Sequence, residues 1–220
     1  QYSKARIYPT SSTYEKYASE FKDNIFFNEP GSAIATVSVN YGRTTYNHTS
    51  KTTDSQKEST RKALLNKEFR QALNFAVDRN SYSAQTNGTD GAAVAIRNTF
   101  SPYDLQVGDK QFGKLVEESL AKTNSSTWSN VSLADSQNGL YNEEKAKAAF
   151  AKAKESLKAE GVEFPIHLDA LTIQESTAVV NRVQSLKQSI ENVLGADNVV
   201  IDLQQMTQAE ALPLSFSAPT

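Results

Sequence analysis

The stretch "NKEFRQALNFAVDRNSY" (Asn66–Tyr82) decides how the chain is read. Its apolar residues Phe69, Leu73, Ala76 and Val77 recur at i, i+4, i+7 and i+8, the spacing of a single helical face. Asn66 suits an N-cap, because its side-chain oxygen can accept from the free amides of a first turn, and Glu68 complements the helix dipole there. Arg70, Gln71, Asn74 and Asp78 point away from the apolar face. The predicted helix therefore reads as scaffold, with no obvious catalytic group on it.

Downstream, "AQTNGTDGAA" breaks the helix with two glycines, and Pro102 marks a loop. In the weakly patterned Gln111–Asn138 region, "FGKLVEESLAK" predicts a helix, while "TNSSTWSNVSLADSQNG" reads as a loop packed around the only tryptophan, Trp128. The last third is clearer. "NEEKAKAAFAKAKESLKAEG" carries an Asn142 cap, an acidic first turn and Gly161 just past its end, with Ala146, Ala149, Phe150, Ala153 and Leu157 as a buried stripe. "FPIHLDAL" is a strand beginning at Pro165, "STAVVNRVQSLKQSIENVLG" an amphipathic helix, and "NVVIDLQQM" a second strand. Strand, helix and strand with short links make a βαβ unit, which requires parallel strands and a right-handed crossover. The fold class is thus α/β. Upstream, "YEKYASEFKDNIFFNEP" predicts a short helix and then a strand at Asn24–Asn28, and "AIATVSVN" (Ala33–Asn40) an inner strand. The polar "YGRTTYNHTSKTTDSQKEST" between them and the opening helix reads as an exposed connection and candidate hinge.

Composition narrows the chemistry. Over 220 residues the net charge is −2, which leaves no electrostatic footprint for nucleic acid. No apolar run approaches the roughly 18 residues that span a bilayer. The absence of cysteine excludes disulfides, thiolate catalysis and cysteine-held zinc. Four sequons, at Asn47, Asn87, Asn124 and Asn130, are read as chance in a chain rich in Asn, Ser and Thr. His48 lies in the polar connection and His167 in a strand, and no Gly-x-Ser-x-Gly elbow accompanies either. Glu117–Glu118 and Glu143–Glu144 are helix neighbours whose side chains diverge, so they read as solvated faces and not as metal ligands. "NGTDGAA" lacks phosphate-loop spacing, and the lysines of "KAKAAFAKAK" are neutralised by nearby acids. Every catalytic template fails, no metal or cofactor is implied, and the balance moves from enzyme to binding protein.

The succession "AIATVSVN", a spacer, then "LLNKEFRQALNFAVDR" resembles the signature of the oligopeptide-binding proteins of ABC importers, solute-binding protein family 5. The matching residues are Asn40, Asn66, Arg70, Gln71, Ala72, Leu73, Ala76, Asp78 and Arg79. With the flanking "EKAKAAFAKAKESLKAEGVEFPIHLD" and "SLKQSIENVLGADNVVIDLQQMT", the likeness covers roughly residues 5–207 and is nearest the streptococcal lipoproteins of the Ami/Ali group. The resemblance implies a two-lobe, periplasmic-binding-protein-like fold that closes over an extended peptide without chemistry on it. It also implies an extracellular, membrane-anchored lipoprotein that hands oligopeptides to a membrane permease. Residues 1–60 would be the tail of the first lobe and the inter-lobe crossing, 61–207 the second α/β lobe, and 208–220 ("QAEALPLSFSAPT" with Gln208 at its start) an unassigned tail where the family has an acidic, Trp-rich segment. Because the chain begins at Gln1 and shows no lipobox, it is expected to be an internal piece that supplies one wall of the cleft. Ligand-binding residues implied are Arg97, Asn98 and Phe100, in the loop "IRNTFSPY", and Asp169 and Leu171, at the end of "PIHLDAL". A competing expectation is a truncated surface module that binds proteins and has no transport role.

Overall fold

Asn66 caps a helix: its side chain accepts from the Phe69 amide at 2.9 Å, and Phe69, Ala72, Leu73, Phe75 and Ala76 are buried along the face the periodicity predicts. The helix stops at Ala76, well short of Tyr82. Val77 is extended (φ −83°, ψ 110°), and a separate helix starts at Arg79. Ser189 makes the stop. Its hydroxyl donates to the Ala76 carbonyl at 2.6 Å and accepts from the Asp78 amide at 2.8 Å. A side chain from far along the sequence thus takes groups that a continuing helix would have paired internally.

The computed structural model describes residues 7–27 and 36–216. In chain order the elements are α1 (Ser12–Tyr17), α2 (Asp54–Leu65), α3 (Lys67–Ala76), α4 (Arg79–Gly91), β1 (Gln106–Val107), β2 (Lys110–Gln111), α5 (Phe112–Thr123), α6 (Ser125–Trp128), α7 (Glu143–Ala159), β3 (Ile166–Ile173), α8 (Thr177–Leu194), β4 (Val199–Met206) and α9 (Gln208–Phe216). Two compact units result, Gln1–Ala35 with Arg79–Leu140 and Thr36–Asp78 with Tyr141–Thr220.

The second of these units holds the βαβ element. β3 and β4 are parallel and in register from Ile166↔Val199 to Ile173↔Met206, with α8 between them in sequence. Asn142 caps α7 by accepting from the Lys145 amide at 2.8 Å, and Gly161 takes the left-handed conformation (φ +75°) that ends it. Packing of α3 on α7 joins the Phe69 and Phe150 rings at 6.3 Å, and Phe164 meets Phe150 edge-on. Phe69, Phe75, Leu157, Ile166 and Val199 are the large, fully buried side chains of this core.

Three upstream expectations change. The polar connection stays irregular through Thr53, but its last residues begin a helix, α2, opened by a capping box in which Thr53 and Gln56 satisfy each other's amides. Its buried face is made partly of hydroxyls, which hid the pattern. Thr60 donates to the Gln56 and His167 carbonyls, and Ser59 accepts from the Glu163 amide. Thr36–Asn40 forms no strand: it is irregular and exposed, with Val37 at 65%, because no described strand lies beside it to complete its hydrogen bonds. The rest of the "AIATVSVN" expectation lies outside the described residues. At 24–28 a single 3-10 turn (Lys22–Asn24) leads into irregular chain, and Asn28 lies outside the described residues.

In the other unit, Gly88 (φ +65°) interrupts α4, at a place where an added Cβ would come within 2.7 Å of Pro9. β1 and β2 form a two-residue antiparallel hairpin before α5. The region read as loop contains one short helix, α6, capped by Asn124 through the Thr127 amide.

Candidate functional site

In the unit that contains β3, Asp169 gathers five donors while its side chain is only 2% exposed. Arg43 (2.5 Å), Lys51 (2.7 Å) and the Thr49 hydroxyl (2.7 Å) reach Oδ2. The Ser50 amide and the Gln204 carboxamide reach Oδ1, each at 3.2 Å. Arg43 also donates to the Thr45 and His48 carbonyls and lies 4.6 Å over the Tyr46 ring. Residues 43–51 are therefore a strap folded on itself and pinned to β3 by one carboxylate. Burial alone would raise the Asp169 pKa, but Lys51, Thr49 and the Ser50 amide outweigh it and hold the carboxyl below its ordinary range. Burial pulls the Lys51 ammonium below its usual value despite Asp169 beside it. Nearby on the two strands, His167 Nδ1 meets the Asp202 carboxylate at 2.8 Å. Strand alternation puts Leu171 on the same face as Asp169, half-buried.

The other unit has its own polar cluster. Asp135 Oδ2 accepts from Arg97 at 2.9 Å and from the Tyr103 amide at 3.0 Å. Asn98 donates to the Ala134 and Gln137 carbonyls, and the Ser136 amide donates to the Ile96 carbonyl. These bonds lace loop 96–103 to loop 132–137. Phe100 projects from the laced region, 82% exposed. Glu117 supports it from below: one oxygen accepts from the Leu133 amide at 2.8 Å and the Tyr103 hydroxyl at 3.2 Å, the other from Lys114. Burial tends to raise the Glu117 pKa, yet the Leu133 amide and Lys114 bring it below the usual value. Glu117 is thus a structural acceptor and not a solvated face, whereas its neighbour Glu118 pairs with Lys110 at the surface.

The five residues implied by the sequence resemblance fall into two groups. Arg97, Asn98 and Phe100 share one unit, and Asp169 and Leu171 the other. Sequence reasoning passed over Arg43, Lys51 and Asp135, and read Glu117 as part of a solvated face. Arg43 and Lys51 lie 126 and 118 positions from their partner, so no local spacing could signal them. Among the described residues no three His, Asp or Glu side chains gather as a metal site.

No family model matches the chain. Over 218 residues, 99% of its length, it is 57% identical to "Oligopeptide-binding protein AmiA" of Streptococcus pneumoniae. The chain is a homologue of the streptococcal oligopeptide-binding proteins. It is 52% identical over 217 residues to the oligopeptide-binding protein SarA of Streptococcus gordonii, and 46% identical over 220 to AliB of Streptococcus pneumoniae. The AliB match spans the whole chain, segment 208–220 included. The chain spans about a third of the length of these oligopeptide-binding proteins, 33% of AmiA and SarA and 34% of AliB.

Proposed function

We propose that the chain serves in capturing oligopeptides for import by an ABC transporter, without chemistry on the ligand. The observation that carries this reading is the 46–57% identity, across nearly all of the chain, to proteins named as oligopeptide-binding. In this reading it is a piece of a surface-anchored extracellular lipoprotein that passes peptide to a membrane permease. Residues 61–207 make up most of the second lobe of a periplasmic-binding-protein-like fold, and 1–60 carry the end of the first lobe and the crossing. The backbone of the peptide would be held by main-chain hydrogen bonds, which any sequence can supply. Phe100 and Leu171 offer apolar surface to side chains. Arg97 and Asn98, through loop 132–137, and Asp169, through the strap, shape the surfaces that the ligand meets.

The test is a chimera in which these 220 residues replace the matching third of AmiA, titrated calorimetrically with a mixed oligopeptide library. Retained binding is expected. A folded chimera that binds no peptide overturns the reading. Phe100→Ala in the chimera should weaken binding about tenfold, the loss of roughly 1.4 kcal/mol expected from one truncated aromatic contact. Because Phe100 is exposed, the melting temperature should not move.

A further inference from the structure

The loop that carries Phe100 is drawn shut by a single oxygen. Asp135 Oδ2 accepts from Arg97 at 2.9 Å and from the Tyr103 amide at 3.0 Å, and Phe100 stands midway between these two stems. The tip is braced from inside: Thr99 is buried, and its hydroxyl donates past Phe100 to the Ser101 carbonyl at 2.6 Å. An exposed ring does nothing for the core, yet both its neighbours and both stems are committed to holding its backbone. The stems are not held alike. Tyr103 has anchors of its own. Its carbonyl accepts from the Gly113 amide at 2.9 Å and its hydroxyl donates to Glu117 at 3.2 Å. Its ring lies so near Gly113 that an added Cβ would fall 1.9 Å from it. The Arg97 stem leans instead on loop 132–137. Asn98 donates to the Ala134 and Gln137 carbonyls, on either side of Asp135, and the Ser136 amide donates to the Ile96 carbonyl at 2.8 Å. Asp135 therefore sets the span from the Arg97 stem to the anchored Tyr103 stem. Both members of the Arg97–Asp135 pair are largely buried, so water and salt screen it less than a surface pair.

We propose that Asp135 is a positioning residue for ligand selectivity: by fixing the span between Arg97 and Tyr103, it holds Phe100 where the ring meets an apolar side chain of a bound peptide. This rests on the peptide-capture reading and adds a preference to it. Apolar side chains gain from the loop, whereas the peptide backbone, held by main-chain groups, does not. A residue that acts only through Phe100 costs nothing further once that ring is gone. A residue that merely keeps the unit folded adds its loss to any other.

The test is a double-mutant cycle in the AmiA chimera, titrated with an alanine-rich peptide and with versions that carry one leucine at each position in turn. The parent chimera should favour leucine at one position or more. Asp135→Ala should lower that preference about tenfold, the scale of one lost aromatic contact, and leave the affinity for the alanine-rich peptide unchanged. Phe100→Ala should do the same, and the double variant should be no worse than Phe100→Ala alone. Asp135→Asn retains an oxygen for both donors and should keep most of the preference. Additive losses, an equal loss for every peptide, or a parent indifferent to leucine overturn the proposal. A folded parent chimera that binds no peptide overturns the transport reading and this proposal with it; binding without the coupling overturns this proposal alone. Hydrogen exchange of the 220-residue chain separates a loosened loop from a lost fold. Asp135→Ala should speed exchange at the Tyr103 and Ser136 amides at least about tenfold and leave the Leu133 amide, bonded to Glu117, slow. Faster exchange throughout residues 79–140 assigns Asp135 a purely structural role and overturns the proposal, as does unchanged exchange at Ser136.

Discussion

Asp169 accepts from two cations, a hydroxyl, a backbone amide and a carboxamide, and it is almost wholly withdrawn from water. The stabilisation is lopsided. Lys51 is equally buried, so neutralising the carboxylate leaves an ammonium without its counter-charge in a place where water cannot replace it. Asp169→Asn is therefore expected to cost about 3–5 kcal/mol in urea unfolding at pH 7. Replacing Lys51 by Met in the same background should recover part of that loss. A cost of less than about 1 kcal/mol would mean that the strap is held by something else. The sequence exposes Asp169 as a polar residue in a strand, a natural suspect for ligand contact, yet four of its five partners lie more than a hundred positions away. Glu117 presents the same difficulty: a helix-surface spacing cannot reveal that Leu133 and Tyr103 bond to it.

At the level of elements, legibility follows locality. α7, β3, α8 and β4 carry cap, stripe and stop within their own residues, so periodicity and N-cap chemistry find them at nearly the right bounds. α3 shows its start and its apolar face but not its end, since the end is set by Ser189. α2 was hidden because Ser59 and Thr60 stand on its buried side in place of hydrocarbon. Thr36–Asn40 has strand composition without a strand, because pairing is a property of two segments. The Ser189 bracket gives a direct check. Ser189→Ala removes the hydrogen bonds to the Ala76 carbonyl and from the Asp78 amide, and should cost about 1–3 kcal/mol. In thermal melts the loss should appear together with faster hydrogen exchange at Asp78. Unchanged exchange there would show that the helix end is fixed by other means.

Across the whole molecule, each unit holds a largely buried carboxylate depressed by its surroundings, Glu117 from an ordinary 4.5 and Asp169 from 3.8. The sign follows from proton counting. The unfolded chain binds more protons than the folded one between the two values, so stability rises with pH there. The contribution is present above about pH 4.5 and is lost as pH falls through the lower, folded-state values. Melting temperatures should hold from pH 6 to about 4.5 and then drop toward pH 3. A Glu117→Gln, Asp169→Asn double variant should start lower at pH 6 but fall less steeply; an identical slope would assign the acid sensitivity to other groups.

The crossing between the helix stop and α7 has a consequence for the chain's modularity. The Asn142 amide donates to the Phe75 carbonyl at 2.9 Å, so the chain leaves for residue 79 and returns from residue 140 at nearly one point. Residues 79–140 are in that sense a cassette spliced into a host unit whose two ends already touch. A tight turn could bridge Asp78 and Tyr141 in its place, and foreign segments of very different length could be grafted at the same seam.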